Sequence, residues 1–549
     1  MTILPTTSLT SQARPGNPGR VAPTHEPLTV TLGSAGVTPE DVLAVARHDA
    51  KVAIAPEALE TVAKVRAHID SLASSDTPAY GISTGFGALA NRHIPNELRT
   101  QLQKSLIRSH AAGMGPAVER EVVRGIMFLR AKTLASGRTG VRPVVLQTMV
   151  DVLNAGITPV VREFGSLGCS GDLAPLSHCA LVLMGEGEAE GPDGATYGGQ
   201  GQPPVAELLA KHGIEPVTLA EKEGLALVNG TEGMLGMLLM AIADLRRLLT
   251  TADITAALSV EALLGTDQVF LPELHAALRP HPGQAASADN MLRVLSGSPI
   301  VASHRVGDSR VQDAYSLRCA PQVAGAVRDT VDHAELVATR ELAAAIDNPV
   351  VLPDGRVSSN GNFHGAPVAY VLDYLAIAVA DLSSIAERRT DRMLDPARSH
   401  GLPAFLASDP GVDSGLMIAQ YTQAGLVSDN KRLAVPASVD SIPSSAMQED
   451  HVSMGWHAAR KLRKAVENLR RVLAIELVTS ARALDIRTQL SGGELVPGAA
   501  GAAVVQALRA VVDGPGTDRF LSPELEAADR LVASGDVLRA AESAVGTLA

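Results

Sequence analysis

Residues 232–264 read EGMLGMLLMAIADLRRLLTTADITAALSVEALL, and this stretch decides the fold. It is aliphatic on nearly every face, and a helix that is apolar all round normally lies in the middle of a helical bundle. Its most hydrophobic part, residues 234–249, is interrupted by Asp244, Arg246 and Arg247. Because the uncharged part is shorter than the roughly 20 residues that a membrane span needs, the stretch predicts a buried helix.

The segments on either side of this stretch also show helical periodicity. Thr38-Pro39-Glu40-Asp41 has the pattern of a helix start, with an N-cap threonine and proline at the first helical position. Strand signals are short, at residues 28–32, 157–161 and 355–358. We therefore expect a mainly α fold, with further helices at residues 38–45, 56–73, 96–111, 118–136, 320–345, 366–389 and 455–490.

The expected organisation has three parts. Residues 1–27 hold five prolines among Thr, Ser and Gly and contain no apolar core of signal-peptide length, which indicates a disordered tail. Residues 28–230 contain irregular loops rich in Gly, Pro, Ser and Asn, and we expect them to form an N-terminal domain. Residues 231–549 are expected to form a long helical bundle domain.

Composition and charge exclude several classes of protein. The 549-residue chain is 46% apolar, too apolar for a disordered chain, and its net charge of −12 argues against a basic nucleic-acid-binding surface. With only 7 Phe, 6 Tyr and 1 Trp, the core must be aliphatic. The cysteines, Cys169, Cys179 and Cys319, form no CxxC pair, which argues against a disulfide framework or a zinc ribbon. A cytoplasmic protein without a metal site is expected.

Two glycine motifs resemble known sites but lack their context. Residues 85–90, GFGALA, fit the dinucleotide fingerprint, yet no clear strand precedes them. Residues 168–172, GCSGD, end in Asp172 where a nucleophile elbow needs glycine. The chain also has no P-loop lysine motif and no HExxH zinc motif, so these chemistries are set aside.

The most informative segment is residues 164–178, FGSLGCSGDLAPLSH. One interpretation is a tight turn in which Asp172 is the N-cap of a helix. A sharper interpretation is chemical: in a strained turn the amide nitrogen of Gly171 could reach the carbonyl carbon of Cys169, since glycine leaves this approach open. Loss of one water on ring closure and one from Ser170 would give a 4-methylidene-imidazol-5-one. This electrophile needs no added cofactor, and a helix N-terminus beside it would stabilise negative charge.

This segment resembles the signature of the aromatic amino acid lyases, the family of the histidine and phenylalanine ammonia-lyases. The family's usual triad is Ala-Ser-Gly, and Cys169 replaces the alanine here, at a position that contributes only its carbonyl group. Other segments match the family in order, from about residue 28 to beyond residue 480. They are YGISTGFG at residues 80–87, LVNGT at 227–231, QDAYSLRC at 312–319, NGNFHG at 360–365 and QEDH at 448–451.

The resemblance implies a mainly α, fumarase/aspartase-like fold and a role for each matching residue. The residues that it implies to be catalytic are Tyr80, Cys169, Ser170, Gly171, Tyr315 and Glu449. Those that it implies to bind the substrate are His110, Asn229, Gln312, Arg318 and Phe363. The prosthetic group would be a 4-methylidene-imidazol-5-one formed autocatalytically from the triad, with no dissociable cofactor and no metal.

Two positions in the sequence indicate which side chain the substrate carries. The pair Ser109-His110 resembles the histidine-using members, whereas tyrosine-using and phenylalanine-using relatives tend to show His-Leu and Phe-Leu there. Glu449 stands where phenylalanine-type relatives usually carry Gln. An imidazole needs hydrogen-bonding partners, while a phenyl ring needs apolar contact. The plainer interpretation is that His110 is satisfied by a neighbour on its helix and that Glu449 is a capping acid.

The reaction that the resemblance implies is elimination of ammonia from L-histidine to give trans-urocanate, the first step of histidine degradation. In it Tyr80 would remove the β-proton, Arg318 would hold the carboxylate and Phe363 would wall the ring pocket. The resemblance further implies a cytoplasmic homotetramer with active sites shared between subunits, and no nucleic-acid or membrane partner. Alternatives are a histidine or aromatic amino acid 2,3-aminomutase, a phenylalanine or tyrosine ammonia-lyase, a lyase of the fumarase and aspartase type, and a non-enzymatic helical scaffold.

Overall fold

The computed structural model describes residues 28–74, 84 and 94–549. The expected tail at residues 1–27, together with Tyr80 and Phe86, lies outside the described residues. Up to residue 230 the described chain forms mostly short helices: α1 (Pro39–His48), α2 (Pro56–Ala73), α3 (Arg99–His110), α4 (Arg120–Ala135), α5 (Pro143–Asn154), α6 (Leu173–Leu183), α7 (Val205–Lys211) and α8 (Glu223–Val228).

The remaining helices include the longest ones of the chain and form a bundle. They are α9 (Glu232–Ala262), α10 (Pro282–Val294), α11 (Pro299–Ala302), α12 (Tyr315–Arg318), α13 (Ala320–Ala343), α14 (Ala366–Leu394), α15 (Met417–Leu433), α16 (Gly455–Leu490), α17 (Ala499–Arg509), α18 (Ser522–Ser534) and α19 (Asp536–Val545). The expectation of a mainly α fold is confirmed.

The strands are short and form small separate sheets. They are β1 (Thr29–Leu32), β2 (Lys51–Ile54), β3 (Met114–Ala117), β4 (Thr158–Pro159), β5 (Arg162–Phe164), β6 (Ala189–Glu190), β7 (Thr196–Tyr197), β8 (Val350–Val351) and β9 (Val357–Ser358). β1 pairs with β2 in parallel, with Thr29 opposite Lys51. The pairs β3–β5, β4–β6, β6–β7 and β8–β9 are antiparallel.

Helix boundaries follow local signals in the sequence. α1 begins with a reciprocal capping box, in which the Thr38 hydroxyl accepts from the Asp41 amide and the Asp41 carboxylate accepts from the Thr38 amide. α14 continues to Leu394, beyond its expected end, because no breaker interrupts it before Pro396. The strand expected at residues 157–161 shrinks to two residues, since a proline limits its hydrogen-bonding ladder.

α9 is the buried centre of the bundle, as its apolar pattern predicts. It packs against α13, α14 and α16, and a polar cluster joins it to α14 and α16. The fully buried Glu476 of α16 pairs with Arg389 of α14 at 3.0 Å and accepts from the Thr255 and Ser259 hydroxyls of α9 at 2.9 Å each. Because every member of this cluster is hydrogen-bonded, its burial is tolerated.

One apolar core runs through the described chain, from Val30 to Leu548. It crosses residue 230, where we expect the boundary between the two domains; that boundary coincides with the start of α9 and stays a proposal. α14 is long and apolar enough to be a candidate membrane span, but most of its most apolar window is buried inside the bundle.

Candidate active site

The triad loop, residues 165–172, is clamped between the starts of two long helices. The carbonyl of Gly168 accepts a hydrogen bond from the Gly365 amide at 3.1 Å, and the carbonyl of Leu167 accepts one from the Met454 amide at 2.9 Å. Gly365 and Met454 immediately precede α14 and α16. The N-terminal ends of both helices therefore face the loop, and their dipoles favour negative charge there.

Gly171 and Asp172 tie the triad loop to a third long helix, α9. Gly171 has a φ of +80° and forms an isolated parallel bridge with Gly230, whose carbonyl accepts from the Asp172 amide at 2.7 Å. The Asp172 carboxylate accepts from the Gly233 and Met234 amides at 2.9 and 3.0 Å. Asp172 does occupy the N-cap position of α6, but its side chain does not cap that helix. The loop instead turns this carboxylate toward the free amides at the start of α9.

The Asp172 carboxyl group is the buried anchor of the loop. The Ser166 hydroxyl donates to it at 2.8 Å and accepts from the Gly168 amide at 3.1 Å. Burial raises the pKa of Asp172 to about 7, and the hydrogen bonds from the Met234 amide and the Ser166 hydroxyl oppose this rise. Three donors on one buried carboxyl group hold the loop and α9 in a single geometry.

Glu449 lies directly against the triad. Ser170 Oγ donates to Glu449 Oε1 at 3.0 Å, while Cys169 Sγ and the Ser444 hydroxyl donate to Oε2 at 3.2 and 2.9 Å. Burial and the charge of Glu449 raise the pKa of the Cys169 thiol to about 12. The thiol is therefore protonated at neutral pH, and three donors orient the Glu449 carboxylate.

His110 ends α3, and its imidazole is neutral at neutral pH. Its Nδ1 lies 3.1 Å from the Ser109 hydroxyl. Burial lowers the pKa of His110, while the nearby charge of Glu449 works against that shift. The charge of Glu449, which binds the triad, thus acts on the His110 imidazole. With Nδ1 in contact with Ser109, Nε2 is the ring nitrogen that remains to bind a ligand.

Asn229 follows α8 and precedes Gly230, the bridge partner of the triad loop. It is buried, and its Nδ2 donates to the carbonyls of Asn348 at 3.0 Å and Leu225 at 3.4 Å. Its Oδ1 thus remains to accept a hydrogen bond beside the triad.

Phe363 lies in the loop that leads into α14, two residues before Gly365. It is half-buried, and the next residue, His364, stacks on His451 with the ring centroids 5.6 Å apart. The segments around Phe363 and Glu449 therefore meet beside the triad loop.

Gln312, Tyr315 and Arg318 form a separate cluster around α12. The Arg318 guanidinium lies 4.7 Å from the centroid of the Tyr315 ring and donates a hydrogen bond to the Gln312 side chain. Tyr315 is 72% exposed, and the buried Nε of Arg318 has no hydrogen-bond partner within the described residues. A guanidinium with an unused N–H can bind a carboxylate.

The two clusters lie at opposite ends of α9 and α14. At one end, Asp172 and Gly365 join the triad loop to the starts of these helices. At the other, Asp313 accepts from the Thr266 amide, just beyond the end of α9, at 2.7 Å, and Arg389, near the end of α14, donates to the backbone of α12 at 3.3 Å. Each helix is on the order of 40 Å long. Within one chain, the two clusters do not form a single site.

Two serines that hold this site were not among the expected site residues. Ser444 binds the Glu449 carboxylate, and Ser453 donates to the Gly168 carbonyl at 2.7 Å across 285 residues of sequence. The turn between Ser444 and Glu449 contains Ser445 and Ala446 at positive φ. Neither residue type signals such a turn, so no local pattern could have predicted these contacts.

The cysteines of the site are unpaired thiols. Cys169, Cys179 and Cys319 are all free, and burial raises the pKa of the Cys179 thiol to about 12. Within residues 28–74, 84 and 94–549, no group of three or more His, Cys, Asp or Glu side chains could hold a metal ion.

Comparison with known sequences gives matches over almost the whole chain. The family model of the aromatic amino acid lyases matches residues 37–510. The chain is 69% identical to histidine ammonia-lyase of Streptomyces griseus over 522 residues, which cover 95% of this chain and 100% of the relative. It is 48% identical to histidine ammonia-lyase of Gloeobacter violaceus over 520 residues, 94% of this chain and 98% of the relative.

Solved structures show the same architecture. Tyrosine aminomutase from Streptomyces globisporus superposes with a TM-score of 0.87 at 37% identity, covering 95% of this chain and 100% of that one. Histidine ammonia-lyase from Trypanosoma cruzi superposes with a TM-score of 0.84 at 37% identity, covering 94% and 96%. These matches show that the chain belongs to the aromatic amino acid lyase family, a family of carbon–nitrogen lyases.

Proposed function

We propose that the protein is a histidine ammonia-lyase, which eliminates ammonia from L-histidine to give trans-urocanate. The observation that carries this proposal is the Glu449 carboxylate at 3.0 Å from Ser170 of the triad, with neutral His110 in electrostatic reach. A carboxylate and a neutral imidazole can hydrogen-bond an imidazole substrate, whereas a phenyl ring would offer neither of them a donor or an acceptor. The high identity to histidine ammonia-lyases supports the same substrate.

The surroundings of the triad fit a 4-methylidene-imidazol-5-one. A Cβ atom on Gly171 would lie 2.0 Å from the Gly230 carbonyl oxygen, so only glycine fits this position. The ring closure also needs glycine at this position, because a side chain would block the approach of the Gly171 nitrogen. We therefore propose that Cys169, Ser170 and Gly171 supply the group, which would provide an electrophilic carbon that takes up the substrate's amine.

The residues around the triad have separable tasks in this proposal. His110 would hydrogen-bond the substrate imidazole, and Glu449 would accept a proton from that ring or from the amine. Asn229 would accept a hydrogen bond through its unused Oδ1, and Phe363 would contact the flat face of the ring. Tyr80, which lies outside the described residues, would remove the β-proton; a phenol of ordinary pKa near 10 needs nearby positive charge for this task.

Arg318 would bind the substrate carboxylate as a fork, with Gln312 and Tyr315 beside it. Because these residues lie on the order of 40 Å from the triad of their own chain, we propose that a second copy of the chain supplies them, in a homotetramer with shared active sites. Tyr370 and Tyr374 on α14 are 60% and 50% exposed, as expected for side chains that a neighbouring subunit covers. The unpaired cysteines are compatible with the reducing cytoplasm.

Replacing Ser170 tests the proposed function. The wild-type enzyme should convert L-histidine to urocanate, followed by absorbance, and its intact mass should be two waters below that of the encoded chain. Ser170→Ala should be inactive. Its intact mass should be at most one water below that of its encoded chain, because it has no hydroxyl to eliminate. Undiminished activity in this variant would exclude the electrophile.

Ser177→Ala is the matched control. Among the described residues, the Ser177 hydroxyl donates only to the Leu173 carbonyl of its own helix, at 2.7 Å. This variant should keep the activity and the mass loss of the wild type.

An aminomutase is the second candidate, favoured by the structural similarity to tyrosine aminomutase. Such an enzyme would return the ammonia to the β-carbon. Chromatography of the products of L-histidine separates the two: a β-amino acid in place of urocanate would support the aminomutase.

A further inference from the structure

We propose that the buried ion pair between Lys222 and Asp347 is a positioning device that holds the side-chain amide of Asn229 for the reaction. This inference rests on the proposed function, in which Asn229 contacts the substrate or the cyclised triad. Neither charged residue touches the triad, so both would act through Asn229.

The pair is completely enclosed in the protein. Lys222 Nζ lies 2.5 Å from Asp347 Oδ2, and both side chains have no exposed surface. Lys222 also has a φ of +74° in the left-handed region, where residues other than glycine are uncommon. Burying two charges costs free energy that an apolar pair would not, and buried ion pairs are therefore weak evidence for a stabilising role. A role in fixing local geometry explains this placement better.

A chain of hydrogen bonds leads from the pair to Asn229. The second carboxylate oxygen of Asp347 accepts from the Asn348 amide at 2.8 Å. The carbonyl of the same Asn348 accepts from Asn229 Nδ2 at 3.0 Å. Holding Asp347 therefore sets the direction of the carbonyl that orients the Asn229 amide.

These hydrogen bonds hold both ends of α8. Lys222 precedes this six-residue helix and Asn229 follows it, so both ends of α8 are tied to residues 346–348. Arg130 completes the ring, since its Nη1 donates to the carbonyls of Asn229 at 2.7 Å and Ile346 at 3.3 Å. The backbone and the side chain of Asn229 are thus held from opposite sides.

The orientation of the amide matters because its two ends have opposite chemistry. With Nδ2 bound to two carbonyls, the Oδ1 of Asn229 is left to accept a hydrogen bond. If the Asn348 carbonyl moved, the amide could rotate and present a donor instead. Displacements of about 1 Å at a catalytic contact can cost on the order of 100-fold in rate.

The double variant Lys222→Met/Asp347→Asn tests the proposal. It removes both charges together, which avoids an unpaired buried charge, and the new asparagine keeps an oxygen for the Asn348 amide. We expect kcat for L-histidine to fall about 10- to 100-fold, with KM changed much less. The mass loss of two waters should be retained, because the triad loop is not touched.

A matched control replaces the Arg470–Asp529 pair, which has two hydrogen bonds of 2.8 Å between α16 and α18 and bonds to none of the site residues that the structure describes. Arg470→Met/Asp529→Asn should keep the kcat of the wild type. An equal loss of kcat in both double variants would contradict a positioning role for Lys222 and Asp347.

A double-mutant cycle isolates the action through Asn229. In an Asn229→Ala background, adding Lys222→Met/Asp347→Asn should lower kcat by less than 3-fold, or about 0.6 kcal/mol, because the amide to be positioned is gone. The full 10- to 100-fold loss in that background would overturn the proposal. If the first double variant fails to cyclise, Lys222→Gln/Asp347→Asn, which also removes both charges but keeps a polar pair, takes its place with the same expectations. Wild-type protein that forms no urocanate would contradict the proposed function, whereas an active wild type with an unimpaired double variant would contradict this inference alone.

Discussion

Ser170 and Tyr315 lie at opposite ends of the same two helices, α9 and α14. Asp172 and Gly365 join the triad loop to the starts of these helices, and Arg389, near the end of α14, holds the backbone of α12. A separation on the order of 40 Å cannot be bridged by side chains. This separation therefore predicts that a working site combines the triad of one chain with the Tyr315–Arg318 segment of another.

Mixing two inactive variants should restore activity if the sites are shared. Ser170→Ala and Arg318→Met should each be inactive alone. When the two chains are co-expressed, about a quarter of the sites in random tetramers should combine an intact triad with an intact Arg318. Urocanate formation by the purified mixture measures this. Ser170→Ala mixed with Asn229→Ala is the control, because both defects lie in the same half of the site, and the mixture should show no more activity than its Asn229→Ala chains alone.

Glu449→Gln should shift substrate preference away from histidine. Glutamine keeps one oxygen for the Ser170 hydroxyl but removes the charge and one acceptor. We expect kcat/KM for L-histidine to fall by about 10- to 100-fold, the loss typical of a contact to a charged group, while that for L-phenylalanine falls less. The ratio of the two kcat/KM values is the measurement. An unchanged ratio would contradict a role for Glu449 in recognising the imidazole.

His110 should act as a neutral group across neutral pH. Burial lowers its pKa from the ordinary value of about 6.5, so the neutral form persists at lower pH than in a free histidine. We expect the ratio of kcat/KM between wild type and His110→Gln to fall as the pH drops, with a midpoint below the ordinary histidine pKa of about 6.5. Taking the ratio removes ionisations that both enzymes share, including that of the substrate. A midpoint at or above about pH 6.5 would contradict the lowered pKa.

The aliphatic pattern of α9 and the small residues of the triad loop could be interpreted from the sequence because each is a local signal. Burial follows from an apolar helix surface, and glycine at residue 171 indicates a turn that other residues cannot enter. The family resemblance then added His110 and Glu449; in the structure the Glu449 carboxylate accepts from the Ser170 hydroxyl, and its charge acts on the pKa of His110.

The contacts that orient these groups could not be predicted in this way. Lys222 and Asp347 are 125 residues apart, and Ser453 lies 285 residues from the Gly168 carbonyl that it binds. A lone lysine or serine has no pattern that indicates its partner, since such pairs are created only by tertiary packing. For the same reason, the sequence order gives no hint that Tyr315 lies far from Ser170 in its own chain.

Alanine at residue 171 and, separately, at residue 194 distinguishes two requirements on the triad glycine, which are a positive φ and the absence of a Cβ beside Gly230. Both residues have nearly the same positive φ, +80° and +81°, so an alanine is equally strained in the backbone at either position. A Cβ on Gly194 meets nothing within 4 Å, whereas one on Gly171 would lie 2.0 Å from the Gly230 carbonyl oxygen. Gly194→Ala should therefore cost about 1 kcal/mol of stability and keep full cyclisation and activity. Gly171→Ala should show the uncyclised intact mass and no urocanate formation; a cyclised Gly171→Ala would show that close approach to Gly230 is not what the triad requires.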